Sequence, residues 1–335
     1  MLTLYEFASE KMNESISLYF NAVEKTKYFT KFTPEGLQDK NLRNLVLAGK
    51  TIDPADIPDA ESAVRELNRV SAIPFDVEAG ASYSVYDITR GYISKLMQEA
   101  RVLSSGYTHI ASQDIKDHPY LLPIWQAALN VTSKAGLKKQ FGSASDQHIS
   151  LPSAKKIANY ANEYFTAHIP TDAQIQERTE RTLEGIVRDL VGRLLFEAIV
   201  KDALDKEGIP YVPESDCTGL QGVVYTHRPD FVIPNEREPL AFIEVRKSSS
   251  RHASLYAKDK MFSAINWKGK HKKMLAIIVA EGEWTHESLT TMSMIFDYVV
   301  PASRSRELAK RIADYMNGDD AILKWIINFS IEKNQ

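Results

Sequence analysis

Two short runs of the chain carry acids and cations in a pattern able to handle a phosphate ester. The first is Arg228-Pro229-Asp230-Phe231-Val232-Ile233; the second, after a turn, is Ala241-Phe242-Ile243-Glu244-Val245-Arg246-Lys247. Alternate side chains of a strand share a face, so Glu244 and Arg246 project together while Ile243 and Val245 pack on the other side. Paired as a hairpin, the two runs bring Asp230, near the open end, toward Glu244. Two carboxylates on neighbouring strands with a cation beside them make a hard-oxygen site suited to Mg²⁺. A metal there lowers the pKa of a bound water and polarises a phosphoryl oxygen, while the adjoining cation steadies the phosphate. A turn cap at Asp230 and an ordinary Glu244–Arg246 ion pair use the same residue types, but they leave a glutamate inside so apolar a strand without a reason.

The charge distribution points the same way. From Arg246 to Lys273 nine residues are Lys or Arg and one, Asp259, is acidic, in a chain whose formal charge is -3. From Met274 to Val300 there are acids and no Lys or Arg. Positive charge therefore gathers just past the candidate acids, where a phosphate backbone needs it. Candidate phosphate contacts are His227 and Arg228 beside Asp230, then Ser248, Ser249, Ser250, Arg251, Lys258 and Lys260. In the first half, Ser150 to Ile157 reads as the start of a recognition helix capped by Ser153, with Lys155 and Lys156 toward phosphates or base edges. A plain amphipathic helix explains that stretch equally well.

The elements that must position these residues fall into two regimes. Before residue 170 the apolar spacing is helical: Leu4–Phe29, Glu35–Leu47, Ala60–Leu67, Val85–Val102, Leu121–Ala135 and Pro152–Phe165. Pro170 then interrupts, and Thr171-Asp172-Ala173-Gln174 has the form of a capping box opening a helix that can run to about Lys206. Gly185 and Gly192 are places where it could bend. Beyond it come strand-like runs at Tyr211–Pro213, Val223–Ile233, Leu240–Val245, Met274–Ala280 and Phe296–Val300. Helices are expected over Ser254–Asn266, Glu287–Met294, Ser303–Met316 and Asp320–Phe329. The expected fold is α/β, a mixed sheet flanked by helices, with residues 1–170 a helical region for DNA recognition or clamping and residues 171–335 the catalytic part.

Pro-Asp on one strand and Glu-x-Arg/Lys on the next, in the order helix, hairpin, helix, strand, resembles the PD-(D/E)xK nuclease superfamily, type II restriction endonucleases in particular. The resemblance covers roughly residues 180 to 300. It implies a restriction-endonuclease-like core in which Asp230 and Glu244 ligate Mg²⁺ and the Val245 carbonyl adds a ligand. It also implies an acid from the preceding helix, where Glu197 fits best and Glu184 second. The sequence departs from the family at one place: the lysine position holds Arg246, and the lysine follows as Lys247. Arginine cannot act as a general base, though it can hold a scissile phosphate through two bonds. Lys247 faces the wrong side of a regular strand unless a bulge shifts it, and Lys258 or Lys260 on the next helix could reach in instead.

The resemblance further implies Mg²⁺-dependent hydrolysis of double-stranded DNA at a specific sequence, leaving 5′-phosphate and 3′-hydroxyl ends. A homodimer follows if both strands of a palindrome are cut, and a cognate DNA methyltransferase belongs in the same cell. Two other readings share the residues: a less specific nuclease of repair or defence, and a DNA-binding protein whose site has decayed at Arg246. Other chemistries lack support. There is no Walker sequence, no GxGxxG after a strand, no GxSxG, no HExxH and no CxxC. A single cysteine, Cys217, excludes an internal disulfide and a multi-thiolate zinc site. The 44% hydrophobic and 25% charged composition is that of a globular protein. The longest apolar run, Met274 to Ala280, is far short of the roughly 20 residues that span a bilayer. With no signal pattern at Met1–Lys11, a cytoplasmic location is expected.

Overall fold

The computed structural model describes residues 1–131, 133–249 and 251–334, and its contacts divide them into two compact units, Met1–Val191 and Gly192–Gln335. The first unit is helical: α1 (Leu4–Lys25), α2 (Lys40–Gly49), α3 (Ala60–Arg69), α4 (Val77–Leu103), α5 (Ser112–Asp117), α6 (Leu122–Ala128), α7 (Lys134–Phe141), α8 (Leu151–Ala167) and α9 (Asp172–Leu190). The boundary expected at residue 170 falls later, at Val191. Ile175, Thr179, Leu183 and Val187 of α9 are buried, and α9 packs against α1, α4 and α6. Apolar burial assigns that helix to the first unit even though Pro170 precedes it.

Local chemistry sets where these helices stop. α1 opens on a Thr3/Glu6 capping box and ends four residues before Phe29, because the Thr26 hydroxyl closes a turn by accepting from Phe29 N–H at 2.9 Å. Lys27, Tyr28 and Phe29 take left-handed backbone there, and the Phe29 ring stacks on Phe75. The helix expected over Leu121–Ala135 is two: Asn130 adopts φ 54° after α6, and Ser133 caps α7 through Gly136 N–H. α4 crosses α2 closely because Gly80 lacks a side chain; a Cβ there would meet the Leu45 carbonyl at 2.9 Å.

The second unit is built on a five-stranded mixed sheet. Its elements are α10 (Phe196–Lys206), β1 (Val212–Pro213), β2 (Leu220–Gln221), β3 (Thr226–His227), β4 (Phe231–Ile233), β5 (Ala241–Ser248), α11 (Ala253–Lys270), β6 (Leu275–Gly282), α12 (His286–Met292), β7 (Tyr298–Val300) and α13 (Ser305–Met316). The strand order is β1-β4-β5-β6-β7, antiparallel up to β5 and parallel from β5 onward, and β2 and β3 form a separate ribbon. α11 supplies the crossover between the parallel β5 and β6. Its Ala257, Ala264 and Trp267 pack with Val232, Phe242, Ala276, Ile278 and Phe296 in one core, and Trp267 meets Phe242 edge to face at 4.8 Å. Among the described residues no helix is long and apolar enough to cross a membrane.

Two expectations for this unit are corrected. Just before α10 the chain makes a π-helical turn, Val191–Leu195, that contains Gly192, whereas Gly185 leaves α9 unbroken. The helix expected over Asp320–Phe329 is only a 3₁₀ turn, Asp320–Ile322. Asp297 takes the backbone N–H groups of Lys324 and Trp325 at 2.8 and 2.9 Å, which removes them from any helical ladder.

Candidate functional site

Strand register assembles the acids. In the β4–β5 pair Phe231 faces Ile243, Val232 faces Phe242 and Ile233 faces Ala241. One further step of that register sets Asp230 opposite Glu244, on the same face of the sheet. The β1–β4 pair, Val212 with Val232 and Pro213 with Phe231, extends likewise to bring Glu214 opposite Asp230, and Glu214 N–H donates to the Asp230 carbonyl at 2.9 Å. A row of carboxylates thus crosses three neighbouring strand positions, Glu214, Asp230 and Glu244. Glu197, in the first turn of α10, stands close enough that Asp230, Glu214 and Glu244 act on its charge. Glu184, the second choice, is exposed on α9 in the first unit. Glu214 was not singled out from the sequence; its signal is the Val-Pro-Glu of β1, legible only once β1 is known to pair with β4.

The cation comes from α11. Lys260 Nζ donates to Glu244 Oε2 at 2.5 Å. Glu244 is 1% exposed, and its other oxygen, Oε1, is buried without a hydrogen-bond partner. Arg246, on the same face of β5, lays its guanidinium over the Tyr256 ring of α11 at 3.9 Å, with its Nε buried and unpartnered. Lys247 alternates to the opposite face, where its Cβ lies 3.6 Å from the place a Cβ on Gly192 would occupy. Lys258 is exposed on α11.

These groups resist ionising together. Burial pushes the Glu197 carboxyl up to about 8, with Asp230 and Glu214 adding to the effect. Burial likewise carries Glu244 up to about 7 against the opposing pull of Lys260. Asp230 is raised by burial and pulled back by Val245 N–H, which donates to Oδ2 at 2.5 Å. Burial works against the Lys260 charge, yet Glu244 outweighs it and lifts the ammonium above its usual range. Burial is the largest cause for each carboxyl, and a divalent cation bound there would favour the ionised forms. Asp230 and the orphaned Glu244 Oε1 are the oxygens able to hold one. Among the described residues no three His, Cys, Asp or Glu side chains converge to hold a metal; Mg²⁺ is commonly held by one or two carboxylates, with waters and substrate phosphate completing its shell.

The remaining residues singled out from the sequence lie further out. His227 pairs with Leu220 in the β2–β3 ribbon and stacks parallel to Trp267. Arg228 is exposed, and its charge reaches Cys217. Ser248 is buried and turns its hydroxyl to the Ser249 carbonyl at 3.1 Å. Ser249 is half-buried, Arg251 is exposed, and Ser250 lies outside the described residues. Lys268, counted above with the basic run, is buried in an ion pair with Asp297 at 2.5 Å and is withdrawn from any phosphate. In the first unit Lys155 and Lys156 are exposed on α8, which is capped by Ser150, not Ser153; the Ser153 hydroxyl donates to the Ser143 carbonyl. Burial pushes the Cys217 thiol up to about 11, away from nucleophilic use. Comparison with protein-family models, curated proteins and solved structures gives no match.

Proposed function

We propose that the chain is a Mg²⁺-dependent DNA endonuclease of the type II restriction kind, with the Gly192–Gln335 unit a PD-(D/E)xK-like catalytic core. The observation that carries this reading is the buried Glu244, one oxygen on Lys260 and the other unpartnered, with Asp230 opposite in the register and Glu197 alongside. Asp230 and Glu244 hold the metal, and Mg²⁺ bound there supplies an activated water and polarises a phosphoryl oxygen. Lys260 fills the role that the resemblance gives to a strand lysine: its ammonium carries three donors, one of them on Glu244, and the others can meet a phosphate oxygen. Arg246, held flat by Tyr256, presents the planar fork that binds a phosphate through two bonds. Arg251 and Lys258 extend the positive surface along the backbone of the duplex.

The restriction reading brings with it a homodimer acting on a palindrome and a cognate methyltransferase that protects host DNA. Digestion of unmodified phage DNA with and without Mg²⁺ tests it. Discrete fragments carrying 5′-phosphates support a site-specific enzyme, and a smear supports a non-specific nuclease of repair or defence with the same acids. Binding without cleavage supports a DNA-binding protein in which Arg246 marks a decayed site.

A further inference from the structure

A second concentration of cations lies on the far edge of the same sheet. β7 ends the strand order, so one edge of Tyr298–Val300 has no neighbouring strand. Along that strand runs a cleft of about 320 Å³ lined by Tyr298, Val300, Arg304, Glu307, Arg311 and Lys324, among others. Glu307 accepts from Arg304 at 2.6 Å and faces Arg311 at 3.5 Å. Among the lining residues one carboxylate therefore answers three cations, while Asp297 and Asp319 also act on Tyr298. Lys324 Nζ sits 4.2 Å from the Tyr298 ring centroid, and the Arg311 guanidinium sits 6.0 Å from the same centroid; neither contact neutralises charge. Lys324 is not on a loose end, because its N–H and that of Trp325 are bound by Asp297, whose other oxygen holds the buried Lys268.

We propose that this cleft binds a phosphate group. Arg304 spends Nε and Nη2 on Glu307, but the Arg311 guanidinium and the Lys324 ammonium beside an aromatic wall suit a tetrahedral oxyanion better than a planar apolar ligand, and their positive charge matches a phosphate's negative one. In the sheet register Glu244 pairs with Ile278 and Ile278 with Val299, whereas Tyr298 pairs with Ile277, so the Tyr298 ring of the cleft lies on the opposite face of the sheet from Glu244. A phosphate of a nucleic-acid backbone and a free phosphate or phosphate monoester share this chemistry. The cleft stands whether or not the acids cleave DNA.

The test titrates inorganic phosphate and, separately, a short DNA duplex in the absence of divalent metal against wild type, Lys324→Ala and Arg311→Gln/Lys324→Gln. Lys324 has no ion-pair partner among the described residues, so its alanine variant should fold as wild type does. An Arg311→Lys/Lys324→Arg variant keeps the charge and should keep the binding. If the occupant is a backbone phosphate, duplex affinity falls about tenfold in the double Gln variant and the log–log salt slope shrinks by about two. If it is a free phosphate, the rise in melting temperature that phosphate gives the wild type is lost in both neutral variants, while duplex binding is unchanged. Duplex affinity and phosphate response both equal to wild type in Lys324→Ala and in the double Gln variant would overturn the proposal. A failure of Mg²⁺-dependent cleavage would leave this result untouched, so the two readings fail separately.

Discussion

At the scale of single residues the second unit buries a group of acids, and burial favours their protonated forms. Glu197 is pushed up to about 8 and Glu244 up to about 7 by burial, so the folded chain binds more protons than the unfolded chain between about 4.5 and 8. Stability attributable to these groups is full at low pH and is lost as pH rises through that window. Glu197→Gln removes one of them. Its melting temperature should exceed that of the wild type by a few degrees at pH 8 to 9, with the difference vanishing near pH 5; coincident melting curves at both ends would refute the strained cluster. The proposed division of labour among the cations is open to a paired comparison. Lys260→Ala should lower Mg²⁺-dependent cleavage by about 10²–10³-fold, the usual cost of removing one group that stabilises developing charge. Lys247→Ala, on the other face of β5, should change it by no more than a few-fold. Equal losses in the two variants would move the catalytic cation back to the strand.

At the scale of elements the hub is Asp297, which binds Lys268 Nζ, Ala276 N–H, Lys324 N–H and Trp325 N–H. Asp297→Ala strands a buried ammonium and should cost about 3–5 kcal/mol, read as a fall in the urea midpoint. It should also speed hydrogen exchange at Lys324 and Trp325, and unchanged exchange there would show that the segment is held by something else. The same hub marks where the sequence could be read and where it could not. β-branched runs with polar punctuation disclosed β4, β5 and β6, and the alternation within β5 placed Glu244 and Arg246 on one face, because strand period is a local property. A count of positive charge included Lys268 in the basic run although it is buried against Asp297, since a count is blind to which side of α11 faces the core. The expected final helix failed because the N–H groups of Lys324 and Trp325, in its middle, are taken by an acid far back in the sequence, and Glu214 was missed because its neighbour Asp230 is set by a long-range register. What depended on period was legible; what depended on pairing between distant segments was not.

At the scale of the whole molecule a net charge of -3 gives no general attraction for nucleic acid, so any affinity must come from local positive surface. That surface includes the exposed Arg251 and Lys258, the exposed Lys270, Lys272 and Lys273 at and after the end of α11, the cleft along β7, and Lys155 and Lys156 on α8 of the helical unit. The proposed chemistry belongs to Gly192–Gln335, and the proposed task of Met1–Val191 is recognition or clamping. The proposal stands or falls with Asp230 and Glu244 holding a catalytic Mg²⁺ over DNA. The most direct measurement is the rate of cleavage of unmodified phage DNA by wild type and by Asp230→Ala, each with Mg²⁺ and with chelator. Cleavage by the wild type only when Mg²⁺ is present, reduced at least 100-fold in Asp230→Ala while duplex binding survives, is the predicted result, on the scale of a lost transition-state interaction. Cleavage that persists in Asp230→Ala, or a wild type that binds DNA and never cuts it, would contradict the account.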